Sequence, residues 1–163
     1  MFYLDLFRSL ERHRVRYLLV GGLAVNLYGV PRMTMDVDVV LALDSANLQE
    51  FLAVARELKL KPALPVALED LLDPAKRSEW VEHRNMVAFS LCGGEKNIPA
   101  VDVLIGVDLP FELAYSRREV RDLAGIGVSL AAVEDLIALK EQAGRAQDIS
   151  DIEHLKAWRG GNA

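Results

Sequence analysis

Four residues, Asp36-Val37-Asp38-Val39, constrain this chain more than any other stretch. Side chains alternate faces along a strand. Asp36 and Asp38 therefore share one face, while Met35, Val37 and Val39 point the other way into a core. Two aligned carboxylates in an otherwise apolar run are costly to bury unless a cation meets them. A divalent metal fits best, because hard cations take carboxylate oxygens. Just upstream, the apolar run YLLV at 17–20 ends at Gly21-Gly22. Glycines lack Cβ atoms, so a phosphate can approach their backbone, and the N–H groups of a helix starting near Leu23 would point at it. A metal beside such a turn points to phosphoryl or nucleotidyl transfer.

The third element of the pattern is Asp102, set between Val101 and Val103. If the strand over 99–105 lies beside the strand over 35–43, three carboxylates gather and can hold two metal ions roughly 3.5–4 Å apart. Asp102 is also a natural general base for an acceptor hydroxyl. The glycine turn is not a Walker A loop, since no Gly-Lys-Ser/Thr follows. GGLAVN also lacks the glycine spacing of the dinucleotide fingerprint.

The rest of the chain reads as one α+β domain of 163 residues, with 52% hydrophobic and 26% charged residues. That is globular composition. Helical spacing covers residues 3–10, YLLV is a buried strand, and LAVNLYG is a short helix closing at Gly29. Asp44 or Ser45 caps a helix whose stripe is Leu48, Phe51, Leu52, Ala55 and Leu58. Residues 61–85 read as a proline-broken helical excursion. Strands follow over 86–92 and 99–105, joined by a turn at Gly93-Gly94, then a strand pair around REVRDL and GVSL. Two C-terminal helices separated by Gly144 close the chain. The first carries Leu130, Val133, Leu136 and Ile137; the second carries Ile149, Ile152, Leu155 and Trp158. The expected division is a core over 1–128 with a helical segment over 129–163 packed on it.

Composition also excludes classes of function. A net charge of −5 argues against a broad grip on a DNA or RNA backbone. No apolar run approaches the roughly 18–20 residues of a membrane span, and the N-terminus does not read as a signal peptide. A soluble cytoplasmic protein is expected. The single cysteine, Cys92, permits no internal disulfide and reads as a small core residue. His13, His83 and His154 show no ligand spacing, and Trp80 and Trp158 read as packing residues.

At these residues the chain resembles the nucleotidyltransferase superfamily typified by DNA polymerase β. That family carries a strand, a Gly-Gly or Gly-Ser turn, a short helix, a strand with Asp-x-Asp, and a later strand with a third Asp. Gly21, Gly22, Asp36, Asp38 and Asp102 match it in order. The resemblance implies a small mixed sheet with helices packed on one side, NTP as substrate and Mg²⁺ as cofactor. It implies transfer of a nucleoside monophosphate to a hydroxyl on a small molecule, a protein side chain or an RNA end. The alternative is a non-catalytic nucleotide-binding regulatory module of the same fold.

Within the superfamily, GGLAVNLYGVPRMTMDVDV is similar to the small prokaryotic nucleotidyltransferases, including toxins of the AbiE type. A toxin would imply an antitoxin partner. The chain is shorter than full-length toxins of that type, so their larger C-terminal acceptor-binding part is expected to be lacking. Arg32 and Lys140 are candidates for the triphosphate, because Arg or Lys clamps stabilise charge in the transition state. The plainer readings are a loop arginine and a solvated helix lysine. Thr34 either orients a phosphate or caps the strand entry. Arg145, Asp148 and Asp151 share a helix face, for which a salt-bridged surface is the bland explanation.

Overall fold

The computed structural model describes residues 1–31, 33–34, 36–95 and 97–162. Met35 and Arg32 of the expectations above lie outside them. Among the described residues, seven strands form one mixed sheet in the order β3-β4-β5-β2-β1-β7-β6. The strands are β1 (Tyr17–Val20), β2 (Val37–Leu41), β3 (Lys61–Pro62), β4 (Ala88–Cys92), β5 (Val101–Leu104), β6 (Glu119–Leu123) and β7 (Ile126–Leu130). The helices are α1 (Phe2–Arg12), α2 (Gly21–Leu27), α3 (Ser45–Glu57), α4 (Pro74–Arg84), α5 (Phe111–Ser116), α6 (Val133–Ala143) and α7 (Ala146–Asn162). A 3-10 turn at Leu68–Leu72 precedes α4, so the excursion at 61–85 is partly strand and partly helix.

The centre of the sheet follows from the valine-rich segments. β2 runs antiparallel to β1 and parallel to β5. Val37, Val39, Val101, Val103, Phe89 and Leu91 share one face and are buried. On the opposite face, Leu18, Val20 and Val40 are buried, whereas Asp38, Asp102, Leu104, Ala88 and Ser90 are only partly covered. One face is thus a closed core and the other opens over β2, β5 and β4.

Helix α3 begins where the sequence puts a cap: the Asp44 side chain accepts from the Asn47 N–H. Asn47 is buried and satisfied on every side. Its Oδ1 accepts from Arg16 N, and its Nδ2 donates to the carbonyls of Arg16 and Ala42, which fixes α3 to the entry of β1. Helix α6 ends at Gly144, whose φ of +65° suits a residue without Cβ. The chain turns there and α7 folds back along α6. Trp158 of α7 stands edge-on to buried Tyr28, with ring centroids 5.0 Å apart. The Tyr28 hydroxyl donates to the Ala131 carbonyl at 2.8 Å. These contacts fasten the C-terminal helices beside α2.

Three expectations change. Cys92 is exposed at the end of β4 rather than in the core, because β4 is flanked there only by the two-residue β3. Ile149 is 57% exposed; the inward face of α7 carries Asp148, Asp151 and Leu155 instead. Leu130 belongs to β7, not to the first C-terminal helix. Trp80 stacks on Phe89 at 5.3 Å and is buried, as expected of a packing residue.

Candidate functional site

Register brings two of the three carboxylates together. In the parallel pair of β2 and β5, Asp38 lies directly beside Asp102. In the antiparallel pair of β1 and β2, Asp38 lies opposite Val20. Paired residues project to the same side of a sheet, so both carboxylates stand on the open face. The residue after Val20 is Gly21, which passes over Asp38 with φ +69°. A Cβ at Gly21 would collide with Asp38 Oδ2 and lie 2.9 Å from Asp38 Cβ and Cγ. The first glycine is therefore required twice, by its left-handed backbone and by the carboxylate beneath it. Helix α2 starts at Gly21 itself, two residues earlier than the sequence pattern suggested.

Asp36 sits differently. It precedes β2, is exposed, and its Oδ1 accepts from Ala100 N at 3.2 Å. It lines the same cleft as Asp38 and Asp102 but stands at its mouth. Among the described residues, no three His, Cys, Asp or Glu side chains already form a closed metal-binding cluster. The donor set nevertheless suits a hard divalent cation: it is oxygen only, and Asp102 Oδ1 is buried with no hydrogen-bond partner. Burial, then the Asp102 and Asp36 charges, push the Asp38 carboxyl up from 3.8 to about 6. Such a group is short of positive charge.

The cleft has a volume of about 670 Å³. Gly21, Gly22 and Thr34 line it with the three aspartates, and α6 supplies Leu136, Leu139, Lys140, Gln142 and Ala143. Lys140 is not a solvated lysine; it is buried, as are Asp148 and Asp151. Its Nζ lies 2.9 Å from Asp151 Oδ2 and 3.6 Å from Asp148 Oδ1. Asp148 also accepts from Arg145 Nε at 2.7 Å and from Arg145 N at 3.1 Å, which caps the start of α7. The Arg145 bonds and charge, with that of Lys140, overcome burial and hold the Asp148 carboxyl below its usual range. The expected salt-bridged surface is instead an internal charge cluster with only Arg145 exposed. Its i, i+3 aspartate spacing was readable; the packing of Lys140 against those aspartates was not, because the turn at Gly144 brings α6 and α7 together.

The structure therefore brings together Asp38, Asp102, Gly21, Gly22 and Lys140 in one cleft, with Asp36 and Thr34 at its mouth. Residues that the sequence pattern did not mark are Val87, Ala88, Leu104, Gly106, Val107 and Gln142, which complete the lining. Their side chains carry no motif that could have flagged them.

The family model described as nucleotidyl transferase AbiEii toxin, type IV TA system, matches residues 4–163. The chain belongs to the AbiEii nucleotidyl transferase toxin family. Solved structures of similar fold include a candidate nucleotidyltransferase from Thermotoga maritima, at 15% identity and TM-score 0.57, covering 98% of this chain and 91% of that one. ANT(2″)-Ia in complex with adenylyl-2″-tobramycin is similar at 14% identity and TM-score 0.57, covering 98% of this chain and 93% of that one. At such identity these two likenesses speak to the fold, which is the nucleotidyltransferase fold of the polymerase β type. No curated protein matches the chain. Among the described residues no helix is long and apolar enough to cross a membrane.

Proposed function

We propose that this AbiEii-family protein transfers a nucleoside monophosphate from an NTP to an acceptor hydroxyl in a divalent-metal-dependent reaction. The observation that carries the reading is the in-register pair Asp38 and Asp102 beneath the Gly21 turn. Asp38 and Asp102, joined by Asp36 at the mouth, would hold Mg²⁺, with two ions as the expected number. An ion held there would supply positive charge to offset the triphosphate and Lewis acidity toward the acceptor.

The protein's own residues account for the rest. The Gly21-Gly22 backbone N–H groups would meet the β- and γ-phosphates, and Gly21 itself must lack a side chain because Asp38 fills the place of its Cβ. Lys140 sits in the lining with its charge balanced by Asp148 and Asp151, so its position in the cleft is fixed rather than mobile. The Asp102 carboxylate, which lines the cleft, accepts the hydroxyl proton. The acceptor oxygen bonds to the α-phosphorus, the bond from that phosphorus to the bridging oxygen breaks, and pyrophosphate leaves. Thr34 in the lining, and Arg32 on its sequence pattern, would contact the phosphates. Family membership supports a toxin role with an antitoxin as partner.

Incubation with Mg²⁺ and each α-labelled NTP, following pyrophosphate release and label transfer, tests the reading. Asp102→Asn should bind Mg²⁺-ATP by titration calorimetry and lose turnover by about 100-fold or more, the scale of general-base catalysis. Equal turnover in the variant and the wild type would refute the assignment. No nucleotide binding by the wild type would refute the whole proposal.

A further inference from the structure

The row of side chains across the open face continues past the two carboxylates. Asp102 of β5 has Asp38 beside it on β2 and Ser90 beside it on β4. The pairing with Ser90 is of the closer kind. Antiparallel partners alternate between pairs that exchange backbone hydrogen bonds and pairs that do not, and side chains approach more closely in the second. One step beyond Ala88 and Leu104 in this register, Ile105 N donates to the Val87 carbonyl at 2.8 Å. Three residues further along β4 the alternation has changed sense. The Ser90 carbonyl accordingly turns away from β5 and accepts from Ala63 N at 2.9 Å. Ser90 and Asp102 are thus a non-hydrogen-bonded pair, for which Cα atoms lie about 4.5 Å apart, and both side chains rise on the same face.

Asp102 lacks what such a neighbour offers. Its Oδ1 is buried and, among the described residues, has no hydrogen-bond partner. A buried acceptor without a donor is costly. An ionised carboxylate has about four acceptor sites, and a cation shared with Asp38 would approach from the β2 side. The lone pairs toward β4 are left over. The side chain that register puts there is a hydroxyl on one rotatable bond, able to donate once. Repulsion acts in the same sense: the Asp38 charge pushes the Asp102 carboxylate from β2 toward β4, so a donor on β4 decides where it comes to rest.

Building on the nucleotidyl-transfer reading, in which Asp102 takes the acceptor's proton, we propose that Ser90 is a positioning residue for that carboxylate. Its hydroxyl donates to Asp102 Oδ1 and holds the group in one rotamer, with the other oxygen turned to the cleft. Ser90 touches neither substrate nor ion and acts through Asp102. Loss of such an outer partner costs roughly 10–100-fold in metal affinity or activity. A single neutral hydroxyl puts the expectation near the lower end of that range.

The first test needs no turnover. The full chain is labelled with aspartate carrying ¹³C at Cγ and observed without metal at pH 8. The Asp102 signal is identified by its loss in Asp102→Asn. Ser90→Ala should move that signal further than the signals of Asp36 and Asp38, and Ser90→Thr, which keeps the hydroxyl, should bring it back toward the wild-type position. In the second test, pyrophosphate release from Mg²⁺-ATP, Ser90→Ala should lower kcat about tenfold and leave KM for ATP within about twofold, because ground-state binding is untouched. Ser90→Thr should restore most of the rate. An Asp102 signal unmoved in Ser90→Ala would overturn the proposal, as would a rise in KM at unchanged kcat or a threonine variant as slow as the alanine one. The two readings fail separately. A wild type that releases no pyrophosphate refutes nucleotidyl transfer, while the metal-free carboxylate signal still decides whether Ser90 holds Asp102.

Discussion

Replacing Asp38 with asparagine should stabilise the fold while abolishing activity. The magnitude follows from the site. Burial first, then the charges of Asp102 and Asp36, raise the Asp38 carboxyl from 3.8 to about 6. Each pH unit corresponds to about 1.4 kcal/mol, so keeping Asp38 ionised in the folded protein costs about 3 kcal/mol. The folded value lies above the unfolded one. The cost is therefore absent below about pH 4 and complete above about pH 7. The substituted asparagine carries no charge, and its amide can donate to Asp102. Urea unfolding in chelator at pH 8 should show the variant more stable by about 1–3 kcal/mol, with the advantage vanishing near pH 4. For a chain of this length that is several degrees in Tm, at about 2–4 °C per kcal/mol. A variant less stable than wild type at pH 8, or equally advantaged at both pH values, would refute the argument that this carboxylate is held against its own preference.

Three further outcomes follow from the same geometry. Mg²⁺ without nucleotide should raise the Tm of the wild type in a concentration-dependent way, by linkage, and should do so far less for Asp38→Asn; equal shifts would place the ion elsewhere. Gly21→Ala should lose about 1–3 kcal/mol of stability through backbone strain and displace the Asp38 carboxylate, measured by thermal melting and by loss of Mg²⁺-ATP binding; an unchanged melt would refute the crowding argument. Lys140→Met leaves Asp148 and Asp151 without their shared cation and should destabilise by about 3–5 kcal/mol, checked by urea unfolding at pH 8. A loss under about 1 kcal/mol would mean the cluster is wetter than its burial implies.

Strands β1, β2 and β5 were legible because their apolar pattern is short, β-branched and bounded by glycine or aspartate. The helix cap at Asp44 was legible because its chemistry is local. The five points Gly21, Gly22, Asp36, Asp38 and Asp102 were legible in order along the chain. What periodicity misjudged was exposure. Ile149 reads as a core residue on helical spacing, yet α7 turns Asp148 and Asp151 inward to meet Lys140. Cys92 reads as core in an apolar run, yet only a two-residue strand flanks it.

By itself the sequence determined which segments become the central strands, and that Asp38 shares a strand with buried valines, because side-chain alternation acts between neighbours. Only the tertiary structure decided that Asp102 stands beside Asp38, since strand register is set by pairing between segments far apart in the chain. It alone turned Lys140 from a surface residue into the centre of a buried charge cluster. Those properties depend on which faces meet, and a face acquires its neighbours only when the sheet and helices close around it.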